Sequence, residues 1–303
     1  MLSGMNAATA LFEAGTRQAK SLDPQDARPS SAAAPTPSNE DSAQDSTAHG
    51  SAVIRKVRHV GLRGPAGRLE ALLNEGAPGA MFAALVCHPH PLGGGTMHNK
   101  VVYHAMKALN DSAWGLDVPV LRFNFRGAGL SQGVHDGRAE AGDVLAALEW
   151  LDAEFHLPVV AAGFSFGAAM VLEACCRWEN KHDVRALIAL GLPLEAEGRR
   201  YQYPFLKDVL IPKLFLSGDR DRFAPVAELE RVAASAGDPK QLTLIQGADH
   251  FLPATWKQCN SRSPAGCGSK LHDRCHSFFP FLSRDSAQGC LRHFHRRTGC
   301  LRH

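Results

Sequence analysis

A serine, a histidine and several aspartates stand at breaks in the chain where they could do chemistry together. Gly163-Phe164-Ser165-Phe166-Gly167 lies between the apolar run at 158–162 and the helix-forming run at 168–174. A serine turned sharply between strand and helix takes a strained backbone, and side chains two residues either side would collide, so both flanks want glycine. Its hydroxyl becomes a nucleophile only if a base takes its proton. His250, in Gly247-Ala248-Asp249-His250-Phe251, is the candidate base, and Asp219 and Asp221, in Gly218-Asp219-Arg220-Asp221, are candidates to orient it. Asp249 reads better as a turn residue shaping the loop and is the weaker alternative acid. The plain reading of the same segments is a glycine-bounded turn and capping aspartates.

These residues need rigid elements beneath them. Residues 53–60 alternate apolar and polar, and after a turn at 61–67 residues 68–74 read as a second strand, giving an antiparallel start. The continuous apolar run at 81–87 fits a strand covered on both faces, and 118–125, 158–162, 184–192, 213–217 and 241–246 read as further strands. Helical spacing at 100–109, 143–155, 168–174 and 225–236 alternates with them. The pattern predicts an α/β fold with a mostly parallel twisted sheet of about eight strands and helices on both faces. Ser165, the aspartates and His250 then fall on loops at the carboxyl ends of strands, in the order Ser, Asp, His.

Composition narrows the partners. The net charge is +3, but nine Lys/Arg against two Asp/Glu lie from Lys257 onward, leaving the remainder near −4. That argues against nucleic acid as a partner of the main domain, because phosphate neutralisation needs clustered cations. No basic segment followed by an apolar core opens the chain and no run approaches a membrane span, so no membrane is expected and a cytoplasmic protein is the default. Residues 1–51 have almost no large apolar side chain beyond a weak helical pattern near the start and are expected to be a disordered leader. The domain is expected over 52–256. Residues 257–303 hold five of the eight cysteines and repeat Gly-Cys-Leu-Arg-His, without a Cys-x2-Cys pair. A zinc module, a basic RNA-binding tail, and an out-of-frame or eroded terminus compete there, and the last is preferred.

With His88-Pro89-His90-Pro91-Leu92-Gly93-Gly94-Gly95-Thr96, Asn124-Phe125-Arg126-Gly127 with Gly129 and Ser131, the serine turn, Gly218-x-x-Asp221 and Gly247-x-Asp249-His250-Phe251, the chain resembles the α/β-hydrolases over roughly 53–256. Within them it is similar to small lidless esterases with a His-Pro-His-Pro loop, akin to dienelactone hydrolases. The resemblance implies Asp221 as the acid, with Asp219 the fallback. It also implies the backbone N–H of His90 as one oxyanion donor, with Leu92 next, alongside the N–H of Phe166 that follows the nucleophile. Pro89 and Pro91 have no N–H to offer.

The expected activity is a serine carboxylesterase cleaving small or soluble acyl esters, with Ser165, Asp221 and His250 catalytic and no cofactor. Leu92 and Phe164 are candidate walls of an apolar pocket, and the connection at 192–212 has room for a loop but no large lid. Thioesterase or peptidase chemistry on the same triad, or a noncatalytic scaffold on the same fold, are the alternatives. His88 and His90 form a lone His-x-His pair without a third ligand of matching spacing, so loop shaping is preferred to a metal site.

Overall fold

The computed structural model describes residues 56–110, 117–177, 182–196 and 198–252. The leader expected over 1–51, the tail over 257–303 and both ends of the 52–256 domain lie outside the described residues.

The chain enters through a hairpin, β1 (Val57–Gly64) and β2 (Gly67–Asn74), paired antiparallel from Val57↔Asn74 to Gly64↔Gly67. The turn is Pro65-Ala66, shorter than the expected 61–67, because Gly61 pairs with Glu70 inside the ladder. There follow β3 (Ala83–Cys87), α1 (Lys100–Asn110), β4 (Val120–Phe123), α2 (Glu140–Phe155), β5 (Val159–Phe164), α3 (Phe166–Cys176) and β6 (Val184–Leu190). A two-strand hairpin, β7 (Glu195–Ala196) and β8 (Arg199–Arg200), and a 3-10 turn at Pro204–Asp208 occupy the connection to β9 (Lys213–Gly218). The described chain closes with α4 (Val226–Ser235) and β10 (Lys240–Ile245).

The large sheet has eight strands in the order β1-β2-β4-β3-β5-β6-β9-β10. β2 is antiparallel to β4, and every pair from β4 to β10 is parallel. Parallel neighbours require crossovers, which α1, α2, α3 and α4 supply except between β6 and β9, where the hairpin and 3-10 turn do so. Side chains alternate between two apolar layers as the pleat demands. Ala83, Leu85 and Cys87 of β3 join α2, α3 and α4 on one face, while Ala84 and Val86 join α1 on the other. Every residue of β3, β4, β5 and β9 is buried, which accounts for the unbroken apolar runs of β3 and β5. Cys87, Cys175 and Cys176 are free thiols, and burial, the largest cause, pushes the pKa of each up.

α2 begins at Glu140, earlier than the expected Asp143. Asp136 folds the loop just before it, its Oδ1 accepting the N–H groups of Arg138 and Ala139 at 3.1 and 2.9 Å. Asp143 instead turns inward, binding the Arg126 guanidinium through Nη2 at 2.6 Å and the Arg126 backbone N–H at 3.0 Å. This ion pair, with Asp143 fully buried, fixes the loop after β4 against α2. A second network holds the same loop. Glu70 Oε2 accepts from Asn124 Nδ2 and from the Leu130 N–H, and Ser131 Oγ donates to the carbonyl of Asn124. Asn124 Oδ1 also accepts the Met97 N–H at 2.7 Å, joining the loops after β3 and β4.

Candidate active site

β5 lies between β3 and β6, and its last residue leads directly into Ser165. Ser165 has φ 54°, ψ −120°, the strained turn that the flanking glycines permit. A Cβ on Gly163 would lie 2.3 Å from the Gly167 carbonyl oxygen, and one on Gly167 would lie 2.5 Å from that of His88. The chain therefore reverses so tightly that only hydrogen fits at both places. The Ser165 N–H is bound to Leu190 O and its own carbonyl accepts from Ala168 and Ala169, so the hydroxyl is the group left to act.

β9 and β10 end in register, Gly218 opposite Ile245, and their loops are tied together. Asp219 Oδ1 accepts the Gly247 N–H at 2.7 Å, and Arg220 N–H donates to Ala248 O at 2.9 Å. This holds His250 over Asp221. His250 Nδ1 lies 2.8 Å from Asp221 Oδ2, and His250 Nε2 lies 2.9 Å from Ser165 Oγ. A carboxylate can only accept, so Nδ1 carries the proton and Nε2 presents its lone pair to the serine hydroxyl. Asp219 is spent on the loop, and Asp249 accepts the N–H of Phe251 at 2.9 Å, its turn-shaping role.

Asp221 is buried, and burial is the largest influence on its carboxyl, pushing the pKa up. His250, the Phe223 N–H and the Ser217 hydroxyl together outweigh it and hold the carboxyl below the usual carboxylate range. The His250 ring is enclosed by Phe223, Phe164 and Phe251, with centroids at 4.6, 5.0 and 5.5 Å.

On the other side of Ser165 stands the loop after β3. The carbonyl of His90 accepts the N–H groups of Gly93 and Gly95, shaping a turn whose apex is Pro91–Gly93. The rings of His90 and Phe166 meet edge-on at 4.9 Å. Phe166 is the first residue of α3, where a backbone N–H has no acceptor within its own helix.

The sequence family described as the alpha/beta hydrolase domain matches residues 84–265. The chain belongs to the alpha/beta hydrolase family. It is 35% identical over 200 residues to an uncharacterized protein of Rickettsia prowazekii, covering 62% of this chain and 79% of that one. Among solved structures it is similar to an alpha-beta serine hydrolase homologue from Coxiella burnetii at 32% identity and TM-score 0.55, over 64% of this chain and 89% of that one. A Xanthomonas campestris protein described as an a/b serine hydrolase without lid matches at 31% identity and TM-score 0.56, over 65% and 87% of the two chains.

One sequence expectation for this hydrolase changes. Phe164 is fully buried, because the β5 pleat points it into the α1 layer, where it forms the floor beneath His250 instead of a pocket wall. Leu92 is 77% exposed at the apex of its turn. His88 is bound on both ring nitrogens, Nε2 accepting the Phe125 N–H at 2.9 Å and Nδ1 donating to Pro89 O at 2.6 Å, which leaves no lone pair for a metal. Among the described residues no group of three or more His, Cys, Asp or Glu is placed to hold a metal ion, and no helix is long and apolar enough to cross a membrane.

Sequence reasoning missed Ser217, whose hydroxyl donates to Asp221 Oδ2 at 3.0 Å. Its only signal is a polar residue ending an apolar strand. It also missed His135, which sits beside His90 and Phe166.

Proposed function

We propose that this hydrolase cleaves carboxylic esters through an acyl-enzyme formed on Ser165. The observation that carries the reading is the unbroken chain from Ser165 Oγ through the His250 imidazole to Asp221. As Oγ attacks the ester carbonyl carbon, Nε2 takes the hydroxyl proton and the carbonyl π electrons move to oxygen. Asp221 keeps the imidazole in the right tautomer and stabilises the imidazolium. The backbone N–H groups of Phe166 and His90 receive the oxyanion, where a donor is worth roughly 3 to 4 kcal/mol. Collapse expels the alkoxide, which takes the proton back from Nε2. Water, deprotonated by the same nitrogen, then attacks the acyl carbon and restores Ser165. The steps need no metal or organic cofactor.

The subtype proposed is a lidless esterase akin to dienelactone hydrolases, with the His-Pro-His-Pro loop on the oxyanion side. The short hairpin and 3-10 turn between β6 and β9, and the similarity to a serine hydrolase described as lidless, support it. A small or soluble ester is the proposed substrate, in the cytoplasm, without nucleic acid or membrane as a partner of the main domain. Ser165→Ala should abolish turnover of p-nitrophenyl acetate and labelling by a fluorophosphonate. Undiminished turnover in that variant would sink the proposal.

A further inference from the structure

His135 lies on the loop between β4 and α2, distant in sequence from both oxyanion candidates, yet its ring touches both. Its centroid is 4.6 Å from that of His90 and 5.4 Å from that of Phe166, each contact edge-on, and His90 and Phe166 are themselves 4.9 Å apart. Three rings thus close a triangle, and His135 is the corner that belongs to neither the nucleophile helix nor the loop after β3. Its side chain is 11% exposed.

Behind the ring stands Glu140, fully buried, whose two oxygens accept the N–H groups of Asp136 and Gly137 at 2.8 and 2.9 Å. His135 Nδ1 is 2.8 Å from Glu140 Oε1, but out of alignment for a hydrogen bond. The carboxylate lies against one ring atom while His90 and Phe166 pack on the ring itself, so the imidazole is held by all three. The loop carrying it is anchored by the Arg126–Asp143 pair and by the Asp136 carboxylate, which accepts the Ala139 N–H. His135 is therefore a fixed wedge pressed on two elements that could otherwise shift against each other.

We propose that His135 is a positioning residue for the oxyanion side of the site: by packing against His90 and Phe166 at once, it sets the spacing of their backbone N–H groups. The proposal rests on the esterase reading above. An oxyanion stabilised by two donors is sensitive to their separation, and a misplacement of 1 Å can cost about a hundredfold in rate.

The test uses the full chain and p-nitrophenyl acetate, with rates expressed per Ser165 labelled by a fluorophosphonate so that only competent sites count. His135→Ala is expected to lower kcat roughly tenfold to a hundredfold, with KM moving less than about twofold. Inhibition by phenylboronic acid, whose tetrahedral adduct places an oxygen in the oxyanion position, should weaken in step with kcat. His135→Phe keeps a ring in the wedge and should bring both quantities back to within about threefold of the parent protein. The proposal is overturned if His135→Ala keeps kcat within about twofold of the parent, if the loss falls on KM, or if His135→Phe is as impaired as His135→Ala. A parent protein that neither turns over ester nor labels at Ser165 instead removes the esterase reading, so the two failures are distinct.

Discussion

His88 accepts the backbone N–H of Phe125 through Nε2, which couples the loop after β3 to the loop after β4 through a neutral, fully buried imidazole. Burial is the largest cause lowering its pKa from 6.5 to about 4, with the Pro89 hydrogen bond opposing it. Above pH 6.5 neither the folded nor the unfolded chain protonates this ring. Below it the unfolded chain takes up a proton that the folded one refuses. Stability from His88 is therefore complete above pH 6.5 and declines as pH falls towards 4, by about 3 kcal/mol in all. Chemical denaturation near pH 7.5 and near 4.5 should show His88→Gln losing correspondingly less stability on acidification than the parent protein. Parallel pH profiles would count against it.

The two elbow glycines are each closed by backbone rather than by movable side chains: Gly163 by the Gly167 carbonyl, Gly167 by that of His88. An added methyl must push the strand or the helix start away. Gly163→Ala and Gly167→Ala should each lower kcat roughly a hundredfold, since the displacement falls on Ser165 itself. Ester turnover with fluorophosphonate labelling checks this, and a parent-like rate in either variant would show that the turn can relax.

Asp221 and Asp219 differ by partner, not by type. Asp221→Asn places an amide against His250 Nδ1, which favours the tautomer with the proton on Nε2 and leaves nothing to accept the serine proton. A fall in kcat of roughly a thousandfold to ten-thousandfold is expected. Asp219→Asn keeps a carbonyl for the Gly247 N–H and should stay within about threefold of the parent protein. Steady-state kinetics on the two variants side by side decide which carboxylate works with His250.

Asp143 is buried against Arg126, whose side chain is 10% exposed. Asp143→Ala strands a guanidinium and a backbone N–H, at an expected cost of about 3 to 5 kcal/mol. Replacing both partners at once, Arg126→Met with Asp143→Leu, should recover much of that loss, because no unpaired charge remains. Denaturant midpoints for the two proteins test the ordering.

Sequence alone exposed the elements whose burial is complete. β3 and β5 face apolar layers on both sides, so their runs are uninterrupted, and the order of Ser165, Asp221 and His250 follows from the strand ends that carry them. The helix α1 was legible from its one-sided apolar spacing. What stayed hidden depends on contacts across the sheet. Asp219 and Asp221 both suit a loop and only the family resemblance favours Asp221; the contacts that divide them, one with the imidazole and the other with Gly247, come from the pairing of β9 with β10. Phe164 looked like a pocket wall because its neighbour is Ser165, whereas the pleat sends it below the site. His135 meets His90 only through the packing of two separate loops, a relation that no local spacing records.

Among the described residues β10 stands last in the sheet order, hydrogen-bonded to β9 alone, and five of its six residues are only partly buried. β5, by contrast, has a neighbour on each side and no exposed residue. Among the described strands, His250 thus follows an edge strand and Ser165 a central one. Local opening begins where fewest buried contacts resist it. Catalysis is in this sense a fraying gauge: under mild denaturant, turnover should vanish while the far-ultraviolet spectrum of the sheet still looks native, because one peeling edge withdraws an imidazole from a serine that has not moved.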